Sequence, residues 1–185
     1  MRTLKESILS RSSHGAKGFE DQRREMIEKW LDKYNIENYT INDDFTIDVN
    51  GSVYLNDQNL KEFPDYIQFG VVWKSFNCNN NYLTSLRGVP REVKWGFYCA
   101  FNKLTSLEGA PEKVGRDFDC SYNRLTSLKG APREVGGSFD CSNNELTTLE
   151  GAPKKAGSLD CRYNSVQFTE EDVRRVCDVK GRINV

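Results

Sequence analysis

The sequence predicts an α+β fold in which a repeat solenoid stacks short strands into a parallel β-sheet, with a cap at each end. One eight-residue pattern occurs five times: Phe or Leu, any residue, Cys, two variable residues, Asn, any residue, and then Leu or Val. The cysteines of these copies are 21, 21, 21 and 20 residues apart. A fixed period of this length is typical of solenoids, because each repeat buries its apolar side against its neighbours. The copies begin at Phe76, Phe97, Phe118, Phe139 and Leu159.

The composition indicates a polar protein with no strong overall charge. Hydrophobic residues make up 37% of the 185 residues and charged residues 29%, as expected where only the inward side of each coil is buried. The net charge of −1 gives no electrostatic case for nucleic acid or an anionic membrane. No stretch approaches the roughly 20 apolar residues that cross a bilayer. Direct nucleic-acid binding and membrane association are therefore not expected.

The cysteines are predicted to be reduced and buried. Six cysteines in an exported protein would suggest disulfides, but five of these lie in register at the repeat period and should stack as a column. This favours a cytoplasmic protein. Zinc sites gather thiolates from short motifs such as C-x-x-C, which the column lacks, so no metal or cofactor is expected. Cys177 lies outside the column and is either a reactive thiol or a buried one beside Val173 and Val176.

The N-terminal part is predicted to contain a leader and a helix. Residues 1–18 should form a flexible or weakly helical leader, with a short helix over Leu4–Leu9; a docking helix is the alternative interpretation. A longer helix is predicted from Phe19 to Tyr34, because apolar residues recur there at spacings of three and four with charges opposite. The predicted stripe consists of Phe19, Arg23, Met26, Ile27, Trp30, Leu31 and Tyr34.

Two short strands, Tyr39–Ile41 and Phe45–Val49, are predicted from alternating apolar residues. Residues 19–60 would then form an N-terminal cap of a helix and a hairpin. The end of this cap, Val53–Leu60, resembles a degenerate first copy of the repeat, with a leucine in the cysteine slot and Gln58 in the asparagine slot.

Each position of the solenoid, residues 61–166, has a predicted physical role. Phe and Cys alternate inward along a short strand, because strand side chains alternate faces. The Asn follows where the chain leaves the strand, and a buried amide there can satisfy backbone groups that the turn leaves unpaired. The Gly-Ala/Val-Pro segment bends the chain around the back of the coil. The predicted ladder consists of Asn81, Asn102, Asn123, Asn144 and Asn164.

Residues 167–185 are predicted to form a helical C-terminal cap. Thr169 is followed by three acidic residues, and both features favour a helix start. Val173, Val176 and Cys177 would give this helix its apolar side.

The repeat F-x-C-x-x-N-x-L resembles the leucine-rich-repeat core L-x-L-x-x-N-x-L at every defining slot. The strings N-x-L-T-S-L-x-G-x-P and FDCS, with the segment WLDKYNIENYTINDDFTIDVNGSVYL, are similar to short leucine-rich-repeat-like proteins of large tailed bacteriophages and prophages. The resemblance covers residues 19–166. It implies a phage-encoded protein in the host cytoplasm, with a role in manipulating the host, such as blocking a defence component.

Strand residues that point away from the core should line a concave binding face. Asp119, Asp140 and Asp160 would form an acidic column with strands about 4.8 Å apart, and their repulsion suggests a basic protein partner. Alternatively, the carboxylates only keep the sheet soluble. The aromatic residues are either interface anchors or pack on one another across repeats. The predicted partner-binding residues are Trp95, Tyr98, Phe101, Asp119, Tyr122, Asp140, Asp160, Arg162 and Tyr163.

The sequence offers little for catalysis. Its single histidine, His14, lies in the leader, and it contains no Walker loop or nucleophile elbow. The chain is therefore predicted to be a non-enzymatic protein–protein interaction module. A structural or self-assembling protein of a virion or scaffold is the alternative, and a cysteine-dependent effector enzyme using Cys177 is the third possibility.

Overall fold

A computed structural model describes the backbone of residues 4–185 and the side chains of residues 18–185. The chain divides into two compact units, residues 1–37 and 38–185. The first three residues of the predicted leader and the side chains of the others up to residue 17, including His14, lie outside the described residues. The predicted boundaries at residues 18, 60 and 166 stay predictions.

The first unit contains a single described helix, α1 (Leu4–Lys33). The helix is longer than predicted, because its backbone continues through the segment expected to link two helices. Its buried stripe is narrower than predicted. Ile27, Trp30 and Leu31 are buried, whereas Phe19 and Met26 are 67% and 47% exposed.

The second unit contains fourteen short strands and a second helix, α2 (Glu170–Val176). The strands are β1 (Tyr39–Ile41), β2 (Ile47–Val49), β3 (Val53–Tyr54), β4 (Phe69–Val72), β5 (Phe76–Asn77), β6 (Glu92–Val93), β7 (Phe97–Tyr98), β8 (Lys113–Val114), β9 (Phe118–Asp119), β10 (Ser138–Asp140), β11 (Lys155–Ala156), β12 (Ser158–Asp160), β13 (Asp178–Val179) and β14 (Ile183–Asn184).

Successive coils stack these strands into two sheets, and apart from the antiparallel pair β1-β2 all neighbouring strands are parallel. The front sheet has seven strands in the order β14-β12-β10-β9-β7-β5-β3, all parallel, as the repeats predict. The rear sheet contains β1-β2-β4-β6-β8 and continues through isolated bridges at Val135 and Glu134 to the pair β11-β13. The sequence predicted one stacked sheet, so the rear sheet is a correction. The described unit is a repeat solenoid in which each full coil contributes one front strand and, at the rear, a short strand or isolated bridges.

A column of phenylalanine rings fills the core behind the front sheet. The rings of Phe76, Phe97, Phe118 and Phe139 stack with centroids 5.7, 5.3 and 5.4 Å apart, and all four side chains are fully buried. The cysteines beside them are also buried and unpaired. The thiol of Cys120 donates to the carbonyl of Asp140 in the next coil at 3.3 Å. The predicted inward alternation of Phe and Cys is confirmed.

The asparagine ladder is confirmed in detail. The amide of Asn123 donates to the carbonyls of Cys99 and Cys120 at 3.0 and 3.1 Å, and its oxygen accepts from the Leu104 N–H at 2.9 Å. One side chain therefore joins two coils, and Asn102 and Asn144 repeat the same bonds. The Gln58 side chain does not join the ladder: it is exposed, and its amide bonds the nearby carbonyl of residue 56.

The N-terminal hairpin differs from its prediction at one end. β1 pairs antiparallel with β2, which begins at Ile47 rather than Phe45. Phe45 has a positive φ of 65°, which extended strands do not allow. A local turn replaces the strand there, because the Asp44 carboxylate accepts from both the N–H and the hydroxyl of Thr46, at 3.0 and 2.6 Å.

The C-terminal segment adds strands to both sheets. Thr169 caps α2 as predicted, with a reciprocal hydrogen-bonded box to Asp172. Cys177 is the C-cap of the helix rather than part of it. β13 and β14 then extend the rear and front sheets beside β11 and β12. These two strands were not predicted.

The outward face of the rear sheet carries charges of alternating sign. Strand register places five residues in one column, which we call the alternating column: Glu92, Lys113, Glu134, Lys155 and Asp178. The ammonium group of Lys155 lies 3.5 Å from the carboxylate of Glu134. Opposite charges on adjacent strands stabilise a sheet, and like charges destabilise it.

Lys113→Glu should therefore lower the free energy of unfolding by about 1 kcal/mol, because it places three carboxylates in succession along the column. Urea unfolding measures the change, and the loss should shrink at high salt. The matched control is Lys61→Glu, which changes the net charge equally outside the column. Equal losses in the two variants would contradict a local pairing effect.

Candidate protein-binding surface

The residues between Phe or Leu and Cys form one column on the outward face of the front sheet. Strand register aligns Tyr54, Asn77, Tyr98, Asp119, Asp140, Asp160 and Asn184. Asp119, Asp140 and Asp160 therefore stand side by side, as the sequence analysis expected; we keep the name acidic column for these three.

The acidic column has a structural task within each coil. The carboxylate of Asp119 accepts from the N–H and hydroxyl of Ser121 at 3.0 and 2.7 Å, and Asp140 accepts from the Ser142 N–H at 2.9 Å. Asn77 makes the same bond to the N–H two residues further on, at 2.9 Å. Each of these side chains therefore has a structural task as a hydrogen-bond acceptor, so the like charges alone are no longer an argument for a basic partner.

The three carboxylates differ in how their charge is balanced. Burial would raise the pKa of Asp160, but hydrogen bonds from Arg162 and Asn184 outweigh it and hold this pKa below its usual value. The Arg162 guanidinium lies 2.6 Å from the Asp160 carboxylate. Burial raises the pKa of Asp119, opposed by the Ser121 bonds. Among the cations whose side chains are described, none lies within 4.0 Å of Asp119 or Asp140.

Three of the predicted aromatic residues, Phe101, Tyr122 and Tyr163, form a row at the position just before the ladder asparagine; we call it the aromatic row. Their side chains are 52%, 48% and 72% exposed. Their backbones have positive φ values of 55°, 52° and 56°. In two other coils Asn80 and Asn143 hold this position at φ 54°, and asparagine tolerates this region far better than a bulky residue does.

The aromatic row is partly self-packed. The rings of Phe101 and Tyr122 stack with centroids 4.2 Å apart and an angle of 11° between planes. Such a pair contributes about 0.5–1.5 kcal/mol. Both side chains are still about half exposed. The guanidinium of Arg162 lies 5.8 Å from the ring centre of Tyr163.

Tyr98 lies on the front sheet, whereas Trp95 does not. Tyr98 is half-buried and folds over Gly96, where an added Cβ would strike its ring. Burial, and then the charges of Asp117 and Asp119, raise the pKa of the Tyr98 hydroxyl. Trp95 lies at the corner between β6 and β7, where the guanidinium of Arg116 sits 5.1 Å from its ring centre. The structure therefore assigns Trp95 to a different surface from the other predicted residues.

Residues just after the cysteines contribute less surface than predicted. Strand alternation predicts that they point to the concave face, but Ala100, Ser121 and Ser142 are at most 6% exposed. Arg162 is exposed.

Sequence reasoning missed most of the corner around Trp95. Trp73, Lys74 and Lys94 join Trp95 and Arg116 there through cation–ring contacts. A signal was present: the dipeptides Trp73-Lys74 and Lys94-Trp95 follow buried valines at equivalent points of consecutive repeats. When the repeats are aligned on this valine rather than on the cysteine, the tryptophans and cations of the corner fall at equivalent positions.

A groove of about 690 Å³ runs along the rear sheet, away from every predicted site residue. It is lined by residues of the alternating column and by Gly115, Gly136 and Gly157. A Cβ at these glycines would meet carbonyl groups of the preceding coil. Close stacking of the coils therefore accounts for the glycines.

The thiols are held in their neutral form by burial. Burial raises the pKa of Cys78 to about 12, and those of Cys161 and Cys177 to about 11. The thiolate is the reactive species, so burial keeps Cys177 mainly in its unreactive thiol form at pH 8. The described residues contain no cluster of three or more His, Cys, Asp or Glu side chains arranged to hold a metal ion.

We expect iodoacetamide at pH 8 to leave all six cysteines of the folded protein unmodified for hours, and to modify all six in urea. The folded pKa values lie above the ordinary 9.0, so ionisation favours the unfolded chain. On this account stability should be constant below about pH 9, begin to fall there as the thiols of the unfolded chain ionise, and keep falling as the pH rises to 11–12. Mass spectrometry of the native reaction is the measurement. Rapid labelling of Cys177 would contradict its burial and favour the enzyme hypothesis.

These observations define the class of the chain as a repeat solenoid with an aromatic and acidic front surface. The chain matches no family model, no curated protein and no solved structure. Within the described residues no helix is long and apolar enough to cross a membrane.

Proposed function

We propose that the chain is a non-enzymatic protein-binding module that uses the outward face of the front sheet and the aromatic row. The aromatic row carries the proposal. Three large apolar side chains stand exposed on backbone positions that favour asparagine, and strain of this kind costs on the order of 1 kcal/mol per residue. Exposed aromatic rings on a rigid scaffold are typical anchors of protein interfaces.

In this proposal the solenoid is leucine-rich-repeat-like and its ends are capped by residues 19–60 and 167–185. The regular asparagine ladder supports the first part. The exposed charges of α2, including the pair between Arg175 and Glu171 at 2.7 Å, support a C-terminal cap. Terminal repeats need such a polar outer side.

The partner is proposed to present a basic surface to Asp119 and Asp140. These are the two carboxylates of the acidic column that have no cation within 4.0 Å in the described part of the chain. The resemblance to phage proteins extends the proposal to a partner in the host cytoplasm, such as a defence component that the module blocks by occupancy. Self-assembly of the chain is the second candidate, because the molecule carries both open carboxylates and the cationic corner around Trp95.

The test is a triple variant, Phe101→Asn, Tyr122→Asn and Tyr163→Asn, compared with the parent in affinity capture from host lysate and quantitative mass spectrometry. Asparagine suits the positive φ, so the variant should unfold at an equal or higher urea concentration while losing the captured partner. Retention of every partner at unchanged stability would sink the proposal.

A second variant, Asp119→Asn with Asp140→Asn, tests the basic partner. The amide keeps the acceptor oxygen that Asn77 shows to be sufficient, so folding should be unaffected and only the charge is removed. Loss of capture would support a basic partner surface. Sedimentation over a range of concentrations tests self-assembly, which predicts a mass that rises with concentration and falls back in either variant.

A further inference from the structure

A second exposed surface lies at the corner where the chain passes from the rear sheet to the front sheet. It consists of five side chains from three consecutive coils, which we call the cation–indole corner: Trp73, Lys74, Lys94, Trp95 and Arg116. Each lies one or two residues after an inward valine of the rear sheet. Backbone bonds from Trp95 to Lys74 and from Arg116 to Trp95 place these three residues on adjacent coils.

Cations and indole rings alternate across this corner. The ammonium of Lys94 lies 5.3 Å from the ring centre of Trp73. Trp95 has the ammonium of Lys74 at 6.0 Å and the guanidinium of Arg116 at 5.1 Å, contributed by the coils on either side. These separations allow cation–π attraction. The two indoles are nevertheless 54% and 46% exposed, so about half of each side chain stays accessible beside the cations.

The corner carries uncompensated positive charge. Lys94 is paired with the carboxylate of Glu92 at 2.8 Å. For Lys74 and Arg116, no carboxylate in the described part of the chain lies within 4.0 Å. Two cations therefore flank an exposed indole, and each has hydrogen-bond donors available to a ligand.

The turn itself does not require these residues. At the equivalent points of later coils the chain has Gly136 and Gly137, and then Gly157 and Ser158, yet the strands continue in register. The two indoles occur only in the coils of Val72 and Val93, and the last coil has Lys180 and Gly181 at the equivalent points. Packing of the turn does not account for them.

We propose that the cation–indole corner is a docking site for an acidic protein segment, in which carboxylates pair with Lys74 and Arg116 while an apolar side chain between them packs on Trp95. Arginine can hold a carboxylate by two parallel hydrogen bonds, and Trp and Arg are the residues most enriched where binding energy concentrates. Two unpaired cations match a pair of carboxylates, whereas nucleic-acid binding generally rests on many phosphate contacts. The site is separate from the aromatic row and does not depend on the function proposed for it.

The experiment is selection from a displayed library of random decapeptides against the full-length protein. The double variant Lys74→Gln with Arg116→Gln serves for counter-selection. We expect enrichment of peptides with acidic residues on both sides of an apolar one. Failure to enrich any peptide, or enrichment of basic or uncharged sequences, would overturn the proposal.

Fluorescence anisotropy of the best labelled peptide then locates the site. Lys74→Gln with Arg116→Gln should weaken binding at least tenfold, and Trp95→Ala should weaken it similarly. The matched control, Lys61→Gln with Lys129→Gln, removes the same charge elsewhere and should change binding less than twofold. If the control weakened binding equally, the loss of affinity would come from the change in net charge alone, and the proposed site would be refuted.

Two further arms separate this site from other possibilities. A labelled ten-residue oligothymidylate should not compete with the peptide, and competition through Lys74 and Arg116 would favour nucleic acid instead. The variant Asp119→Asn with Asp140→Asn should bind the peptide normally. A loss there would mean that the peptide occupies the front sheet, and the corner proposal would fail while the front-sheet proposal stood.

Discussion

Asn123→Leu should lower the free energy of unfolding by about 3–5 kcal/mol, the largest effect expected from a single change in the ladder. Leucine fills a similar volume but leaves the buried N–H of Leu104 and the carbonyls of Cys99 and Cys120 without their partner. Each buried polar group left unpaired costs about 1–3 kcal/mol. Urea unfolding followed by circular dichroism measures the loss.

The control for this prediction is Asn164→Leu, at the last rung of the ladder. Its bonds to Leu146, Cys141 and Cys161 are only partly buried, so water can replace them and the loss should be roughly half as large. Equal losses at the two rungs would show that burial does not set the cost. A loss below about 1 kcal/mol at Asn123 would contradict the structural role given to the ladder.

Phe118→Ala should destabilise the protein by about 3–5 kcal/mol, because it removes a ring from the middle of the core. Phe118 stacks between Phe97 and Phe139 at 5.3 and 5.4 Å and is fully buried. The cavity would be enclosed by both neighbouring coils, so the surroundings cannot easily collapse into it. The melting temperature should fall by about 2–4 °C for each kcal/mol of stability lost.

Two comparisons make the phenylalanine prediction specific. Phe118→Leu should recover most of the lost stability, since a leucine fills much of the space. Tyr122→Ala removes an aromatic ring of similar size from the exposed surface and should cost less than about 1.5 kcal/mol, the contribution of its stack on Phe101. A similar loss for Tyr122→Ala and Phe118→Ala would mean that the front surface, not the core, carries the stability.

The repeat positions were predictable because their chemistry is local and periodic. Phe, Cys and Asn recur at fixed offsets, and each offset corresponds to one direction of the side chain along a short strand. The structure confirms the burial of Phe97 and Cys99 and the double bridging by Asn102. Periodicity of this kind reports which side chains are inward, and the stacking follows from it.

Other parts of the fold left too weak a pattern in the sequence. Rear strands such as β6 and β8 are only two residues long, too short for alternation to be recognised, and they exist because stacked coils pair their backbones. The start of β2 was predicted two residues too early, because Phe45 is a residue type that favours strands but has a turn backbone here. Strain at a single residue has no periodic signature.

The candidate surface was predicted in part. The repeat pattern predicted the position of the acidic column but not its internal hydrogen bonds, which depend on where the chain turns after Asp119 and Asp140. It indicated that Phe101, Tyr122 and Tyr163 are candidate anchors but not that all three occupy positive φ. It grouped Trp95 with them, although the corner that holds Trp95 becomes visible only when neighbouring coils are placed side by side.

The alternating column also bears on how nearly identical coils find the correct neighbour during folding. Phe, Cys and Asn slots are interchangeable between coils, so a coil that paired with the next but one would satisfy its core almost as well, a recurrent error of repeat proteins. Such a skip would bring Glu92 against Glu134, or Lys113 against Lys155. Because the sign of the charge alternates from coil to coil, this column attracts the adjacent coil and repels the coil beyond it. The alternation therefore disfavours mispairing.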